Sequence, residues 1–260
     1  MNTQDWKTLS EAYAFIGNSL LTPMTRTATV GLDPAFWEAF PTFGDAAAEQ
    51  ACVACAAHAR DAQAAACETG AGTGAAAAGT GATGCPADGA AAAGEWPTPR
   101  AVQDVAVEFT HLFVGPPQPA AAPWETFYRQ EGATVGFGEP THQMRAALRE
   151  AGLREAGEMN QYEDHLGIEL LLLAELCRRA AAGEPLAPGA DDVDAADPDA
   201  YVAAYLDAHP LGWVDDFAAR IAAEAPDGYF AGLLGMASAL LRWQRGQLEG
   251  SLGKAEVAAS

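Results

Sequence analysis

Residues 6–20 read WKTLSEAYAFIGNSL, and within them Trp6, Leu9, Tyr13, Ile16 and Leu20 recur at spacings of three and four. That recurrence lays the apolar side chains along one stripe of a helix, and Pro23 just beyond it supplies the stop. The same signals repeat outward along the chain. Asp33-Pro34 places a capping carboxylate before a ring with helical φ, ahead of Phe36, Trp37 and Phe40. Ala46 to Ala66 is rich in helix formers and poor in bulk. Asp197-Pro198 repeats the start signal before Tyr201, Tyr205 and Leu206, and Pro210 closes that segment. Pro226 opens a last long helix whose apolar face holds Phe230, Leu233, Leu234, Ala237, Leu240, Leu241 and Leu248. Alternating apolar and polar stretches that would make strands are missing. The expectation is an all-α fold, a single multi-helix globular domain over residues 1–260.

Two stretches interrupt the pattern. Residues 69–99 are mostly Gly, Ala and Thr with almost no charge or bulk, so burial cannot offset their ordering entropy, and a flexible insertion is expected. Residues 183–199 carry Glu184, Asp191, Asp192, Asp194, Asp197 and Asp199 without a basic residue, which reads as an acidic surface loop.

Composition narrows the function classes. The chain has 260 residues, enough for one large domain or two small ones. Its 35 acidic residues against 14 basic ones give a formal net charge of -21. That excess argues against nucleic acid as a partner, because phosphate binding needs Lys and Arg to release counterions. It equally disfavours a helix lying on anionic lipid, and it favours a basic ligand. No unbroken apolar run, Leu170 to Ala174 among them, approaches a bilayer span of ~20 residues. Residues 1–7 show no secretory n-region, and Cys52, Cys55, Cys67, Cys85 and Cys177 are scattered, so a reduced, cytoplasmic setting is expected.

Several segments could carry chemistry. Glu108 to Pro116, continued through Pro117, Pro119 and Pro123 to Trp124-Glu125-Thr126-Phe127-Tyr128-Arg129, is a helix end followed by a proline-stiffened loop rich in aromatics. It reads either as a rigid connector whose rings close the core or as a preformed apolar ledge for a peptide, lined by Leu112, Phe113, Pro123, Trp124 and Phe127. Glu163-Asp164-His165 opens a helix of nearly unbroken leucine, with Asp164 suited to the N-cap or first turn and Glu169 one turn after His165. A helical hydrolase or lyase using Asp164 and His165 is the enzymatic alternative, although no Ser or Cys nucleophile stands nearby in sequence. His209-Pro210-Leu211-Gly212-Trp213, with Phe217 a turn later, reads as a helix break whose His and Trp plug the core. Cys52-x-x-Cys55-x-x-His58 raises a metal carrier as a further alternative, but Cys67 and Cys85 do not form the second close-set pair that a zinc or iron–sulfur site wants.

Taken together, these segments resemble the TorD/DmsD family of redox-enzyme maturation chaperones of the twin-arginine export route, related to the NarJ group. The residues that carry the resemblance are Glu108-Phe109 through Leu112-Phe113-x-Gly115-Pro116, then Ala122-Pro123-Trp124-Glu125-Thr126-Phe127-Tyr128. Phe137-Gly138, Met144-Arg145, Glu163-Asp164-His165 with Glu169-Leu170, His209 to Trp213 with Phe217, and the last helix through Trp243 follow in order. Gln161-Tyr162 stand where the family usually has Glu-Pro, and Phe109 stands where it often has Trp.

The resemblance implies a helical bundle without catalytic activity and without a cofactor of its own. It implies binding of a twin-arginine signal peptide and of the apo catalytic subunit of a molybdopterin oxidoreductase, of the DMSO- or TMAO-reductase type, in the cytoplasm before export. The signal-peptide-binding residues it implies are Phe109, Leu112, Phe113, Pro123, Trp124, Tyr128, Asp164 and His165. The oligomer it implies is a monomer or a helix-swapped dimer. The physical demands agree: the apolar part of such a peptide needs a greasy groove, its arginines need carboxylates, and a buried Asp164 needs a cationic or N–H partner.

Overall fold

The computed structural model describes residues 1–72, 96–134, 136–154, 161–188 and 197–258. Within them the chain is helical, and the one β-type pairing is an isolated bridge between Trp124 and His165. Helix α1 (Thr3–Leu21) buries Trp6, Leu9, Tyr13, Ile16 and Leu20, the stripe read from spacing. Helix α2 (Pro34–Glu38) starts where Asp33 accepts the Ala35 N–H at 2.9 Å. Helix α3 (Ala46–Gly72) runs alongside α10 (Tyr229–Ala258), the longest helix. Between them lie α4 (Pro99–Phe109), α5 (Thr126–Arg129), α6 (Glu139–Glu150), α7 (Leu166–Ala182), α8 (Pro198–Ala208) and α9 (Val214–Glu224).

Residues 73–95 of the expected insertion and 189–196 of the expected acidic loop lie outside the described residues. The edges of the insertion are more ordered than its composition suggests. Helix α3 continues through Gly72, four residues into the stretch expected as coil, because an alanine-rich helix propagates readily once formed. On the far side the Trp96 indole donates to the Leu32 carbonyl at 3.0 Å, and Thr98 caps α4.

Helices α1 and α7 pack antiparallel, Ser10 meeting Ala174 and Gly17 meeting Gly167. A Cβ on Gly17 would lie 2.8 Å from the Gly167 carbonyl oxygen, so the backbones touch there. Helix α10 is joined to this pair in the core: the Tyr13 hydroxyl donates to Gln244 Oε1 at 2.9 Å, and Gln244 Nε2 reaches Cys177 Sγ at 3.4 Å. The close crossing sets a test. Gly17→Ala should lower stability by about 1–3 kcal/mol through overpacking, despite alanine's better helix propensity. Gly246→Ala, on a stretch of α10 with nothing near the added methyl, should raise it by about 0.5–1 kcal/mol. Urea titrations of both variants check this; two shifts of the same sign would refute the crossing.

Candidate functional site

The two motif segments meet side by side. Glu125 N–H donates to the Asp164 carbonyl at 2.9 Å and Leu166 N–H to the Pro123 carbonyl at 3.0 Å. These bonds set Trp124 opposite His165, with their rings edge to face at 5.8 Å.

Asp164 lies at the centre of that junction and is fully buried. Its Oδ2 accepts the Thr126 backbone N–H at 3.0 Å and the Thr126 hydroxyl at 2.6 Å, while Oδ1 accepts the Thr141 hydroxyl at 3.0 Å. Thr141 in turn accepts the Gly138 N–H at 3.1 Å, so one carboxylate ties α5, α6 and the entry of α7 together. Burial pushes the Asp164 carboxyl pKa upward, and the Thr126 and Thr141 hydrogen bonds pull against it. This corrects one expectation: Asp164 does not cap α7. The N–H partner expected of it is the Thr126 backbone N–H, joined by two hydroxyls of the chain itself.

The cap of α7 is His165, whose Nδ1 accepts the Gly167 N–H at 2.9 Å. With Nδ1 accepting, the ring proton is on Nε2. Burial pushes its pKa down to about 3. A general base needs a pKa near the working pH and a free lone pair, and this imidazole is neutral with Nδ1 engaged.

Behind the junction lies a second buried acid pair. Glu125 binds Arg129, which also donates to the Ala208 carbonyl at 2.6 Å, and Glu125 Oε2 is 3.2 Å from His209 Nδ1. Glu169 takes the Trp213 indole N–H at 3.2 Å. Its carboxyl is pushed well above the usual range, first by burial and then by the nearby charge of Glu125. Both causes favour the neutral acid, and Glu169 Oε1 is buried without a hydrogen-bond partner among the described residues. His209 and Trp213 are buried as their helix-break motif suggests, and Trp213 stacks on Tyr128 at 5.2 Å.

Phe109, Leu112 and Phe113 are core residues. Phe113 packs edge-on against Phe109 and Phe230, and against Phe217 beyond them. A single π-helical turn over Thr110–Val114 carries Leu112 and Phe113 inward. It ends at Gly115, whose φ of 84° a side chain would resist. The open ledge expected of Leu112 and Phe113 is therefore interior surface here. Pro123 is also buried, whereas Trp124 and Tyr128 are half-buried. What reaches solvent beside Trp124 is a pair of exposed rings, Phe137 and Tyr162. The Trp124 indole N–H is buried and has no hydrogen-bond partner among the described residues.

Cys52 and Cys55 are both buried, their thiols pushed up to about 11 and about 12. Cys55 faces Gly232 of α10, and among the described residues no group of three His, Cys, Asp or Glu is arranged to hold a metal ion.

Glu125, Thr126 and Glu169 stand inside the motif segments but carry no sign in sequence of their buried roles, and Thr141 lies in a polar stretch, EPTHQMR, with no signal at all. Glu108 has a role of its own: its carboxylate accepts the Tyr229 and Phe230 N–H groups at 3.0 Å, capping α10 from α4.

Residues 87–219 match the family described as the nitrate reductase delta subunit, just over half of the chain. The chain belongs to the nitrate reductase delta subunit family. The stretch that carries this membership runs from α4 into α9 and contains both halves of the Trp124–His165 junction. The family member is also similar to the chaperone protein TorD of Vibrio cholerae serotype O1, in the El Tor Inaba and Classical Ogawa strains. Each is 30% identical over 117 residues, covering 45% of this chain and 50% of the relative. The chain thus spans about half the length of the curated relatives it matches.

Proposed function

We propose that this protein is a cytoplasmic maturation chaperone, not an enzyme. It binds the twin-arginine signal peptide and the apo catalytic subunit of a molybdopterin oxidoreductase of the DMSO- or TMAO-reductase type before export. Family membership and the relatives named as chaperones support the class. The observation that carries the peptide site is the junction itself: the two motif segments are locked together so that Trp124 stands beside the exposed rings of Phe137 and Tyr162. An apolar face of that kind on a chain of net charge -21 suits a ligand that is both greasy and basic.

In this arrangement Trp124 and Tyr128 meet the peptide. Pro123, Asp164 and His165 fix the segments that present them, and Phe109, Leu112 and Phe113 back the site from the core. The neutral, engaged His165 supports a binding role over hydrolysis.

The test is isothermal titration with a synthetic peptide of two arginines followed by an apolar run. Wild-type protein should bind it, and the affinity should fall as salt is raised. Trp124→Ala should weaken binding by about tenfold or more, as aromatic anchors do. Absence of binding to the wild type, or unchanged affinity in a folded Trp124→Ala protein, would overturn the assignment.

A further inference from the structure

Phe137 and Tyr162 are the exposed aromatic rings among the large apolar side chains described, and they touch each other at 5.5 Å. Tyr162 also packs edge-on against Trp124 at 6.4 Å. The guanidinium of Arg145 also lies over the Phe137 ring, 6.0 Å from its centroid. Arg145 Nε and Nη2 donate to the two oxygens of Glu163 at 2.7 and 2.9 Å, a bidentate fork. The carboxylate side of this pair is shielded, with Glu163 16% exposed, while Arg145 is 45% exposed.

The two halves are held very differently. Tyr162 and Glu163 directly precede the anchored Asp164, so the buried junction holds the fork and the ring in place. Arg145 is a long side chain on the outer face of α6, free to leave without disturbing the helix. A planar guanidinium between a carboxylate fork and an aromatic face is recognised in a way that an ammonium is not, because only the former donates two parallel hydrogen bonds and stacks.

We propose that Arg145 is an internal stand-in for an arginine of the bound peptide. The incoming guanidinium takes the Glu163 fork beside Phe137 and Tyr162, and Arg145 swings out into solvent. This rests on the peptide-binding assignment above and adds the groups that read arginine.

The experiment titrates the whole protein with two peptides, one bearing twin arginines and one twin lysines, against wild type, Arg145→Ala, Glu163→Gln and Phe137→Ala. Arg145 is exposed on a helix, so alanine there leaves the fold intact; circular dichroism checks this for every variant. Arg145→Ala should bind the arginine peptide about fivefold more tightly than wild type, the worth of a released surface ion pair, and the lysine peptide with little change. Glu163→Gln and Phe137→Ala should each lose most of the preference for arginine over lysine. If Arg145 only staples α6 to the entry of α7, Arg145→Ala will bind the arginine peptide equally or more weakly than a binding-competent wild type. That result overturns the stand-in and leaves the peptide site standing. If the wild type binds neither peptide, the peptide-binding assignment falls and the stand-in with it.

Discussion

Replacing Asp164 with alanine is expected to destabilise the protein by about 3–5 kcal/mol, because it strands several buried donors at once. The Thr126 N–H, the Thr126 hydroxyl and the Thr141 hydroxyl all lose their acceptor at a fully buried position. Asparagine in the same place keeps one oxygen for Thr126 but turns an NH₂ towards Thr141, so Asp164→Asn should cost only about 1–2 kcal/mol. Thr126→Val and Thr141→Val should each cost less than Asp164→Ala, since each removes a single hydroxyl. Urea titrations of the series decide the matter. A cost below about 1 kcal/mol for Asp164→Ala would show that the carboxylate does not hold the junction together.

The second large effect is a pH dependence centred on His165. In the unfolded chain its imidazole has the ordinary pKa of 6.5, whereas in the folded protein burial holds it at about 3. As pH falls below 6.5 the unfolded chain takes up the proton first, so the stability due to a neutral His165 is present above that value and lost towards pH 3. The loss runs at about 1.4 kcal/mol per pH unit, or about 2 kcal/mol by pH 5. Glu169 has the opposite sign. Its folded carboxyl is raised above 4.5, so between 4.5 and that raised value stability falls as pH rises. The wild-type curve mixes both slopes, and the informative quantity is its difference from His165→Asn. Asparagine keeps an acceptor at the cap of α7 and removes the titration. The variant should therefore gain on the wild type by about 2 kcal/mol between pH 7 and pH 5. Parallel curves over that interval would mean that His165 titrates in the folded protein as it does in the unfolded chain.

The helical fold was legible because its signals are local. Asp33-Pro34 and Asp197-Pro198 start helices where they stand, since cap and first turn are neighbours in sequence. The periodic stripe of α1 is buried as its spacing requires. The cap of α7 was not legible. Asp164 and His165 both suit that position, and the choice between them is made by Thr126 and Thr141, 38 and 23 residues upstream. The start of α10 went the same way: it begins at Tyr229 rather than at Pro226, because its acceptor is Glu108 on α4. Leu112 and Phe113 show the commonest ambiguity of an apolar run. Their hydrophobicity fits a groove and a core equally, and Phe217 and Phe230, from helices far along the chain, decide for the core. The exposed rings at the site were likewise hidden, because nothing in sequence separates Tyr162 and Phe137 from the aromatics that turn inward.

The pairing of α1 with α7 also bears on how the protein comes off the ribosome. Helix α1 is made well before α7, and the α7 surface that its apolar stripe covers is not complete until residue 182 has emerged. At 5–20 residues per second that interval is roughly 10–30 s. Throughout it Leu9, Ile16 and Leu20 have no native partner on α7, and Gly17 has no backbone to touch. The N-terminal helix therefore cannot nucleate the fold by itself; it docks late, when α7 arrives. A nascent chain halted before α7 should leave α1 open to proteolysis, and one halted beyond it should protect the helix in a single step.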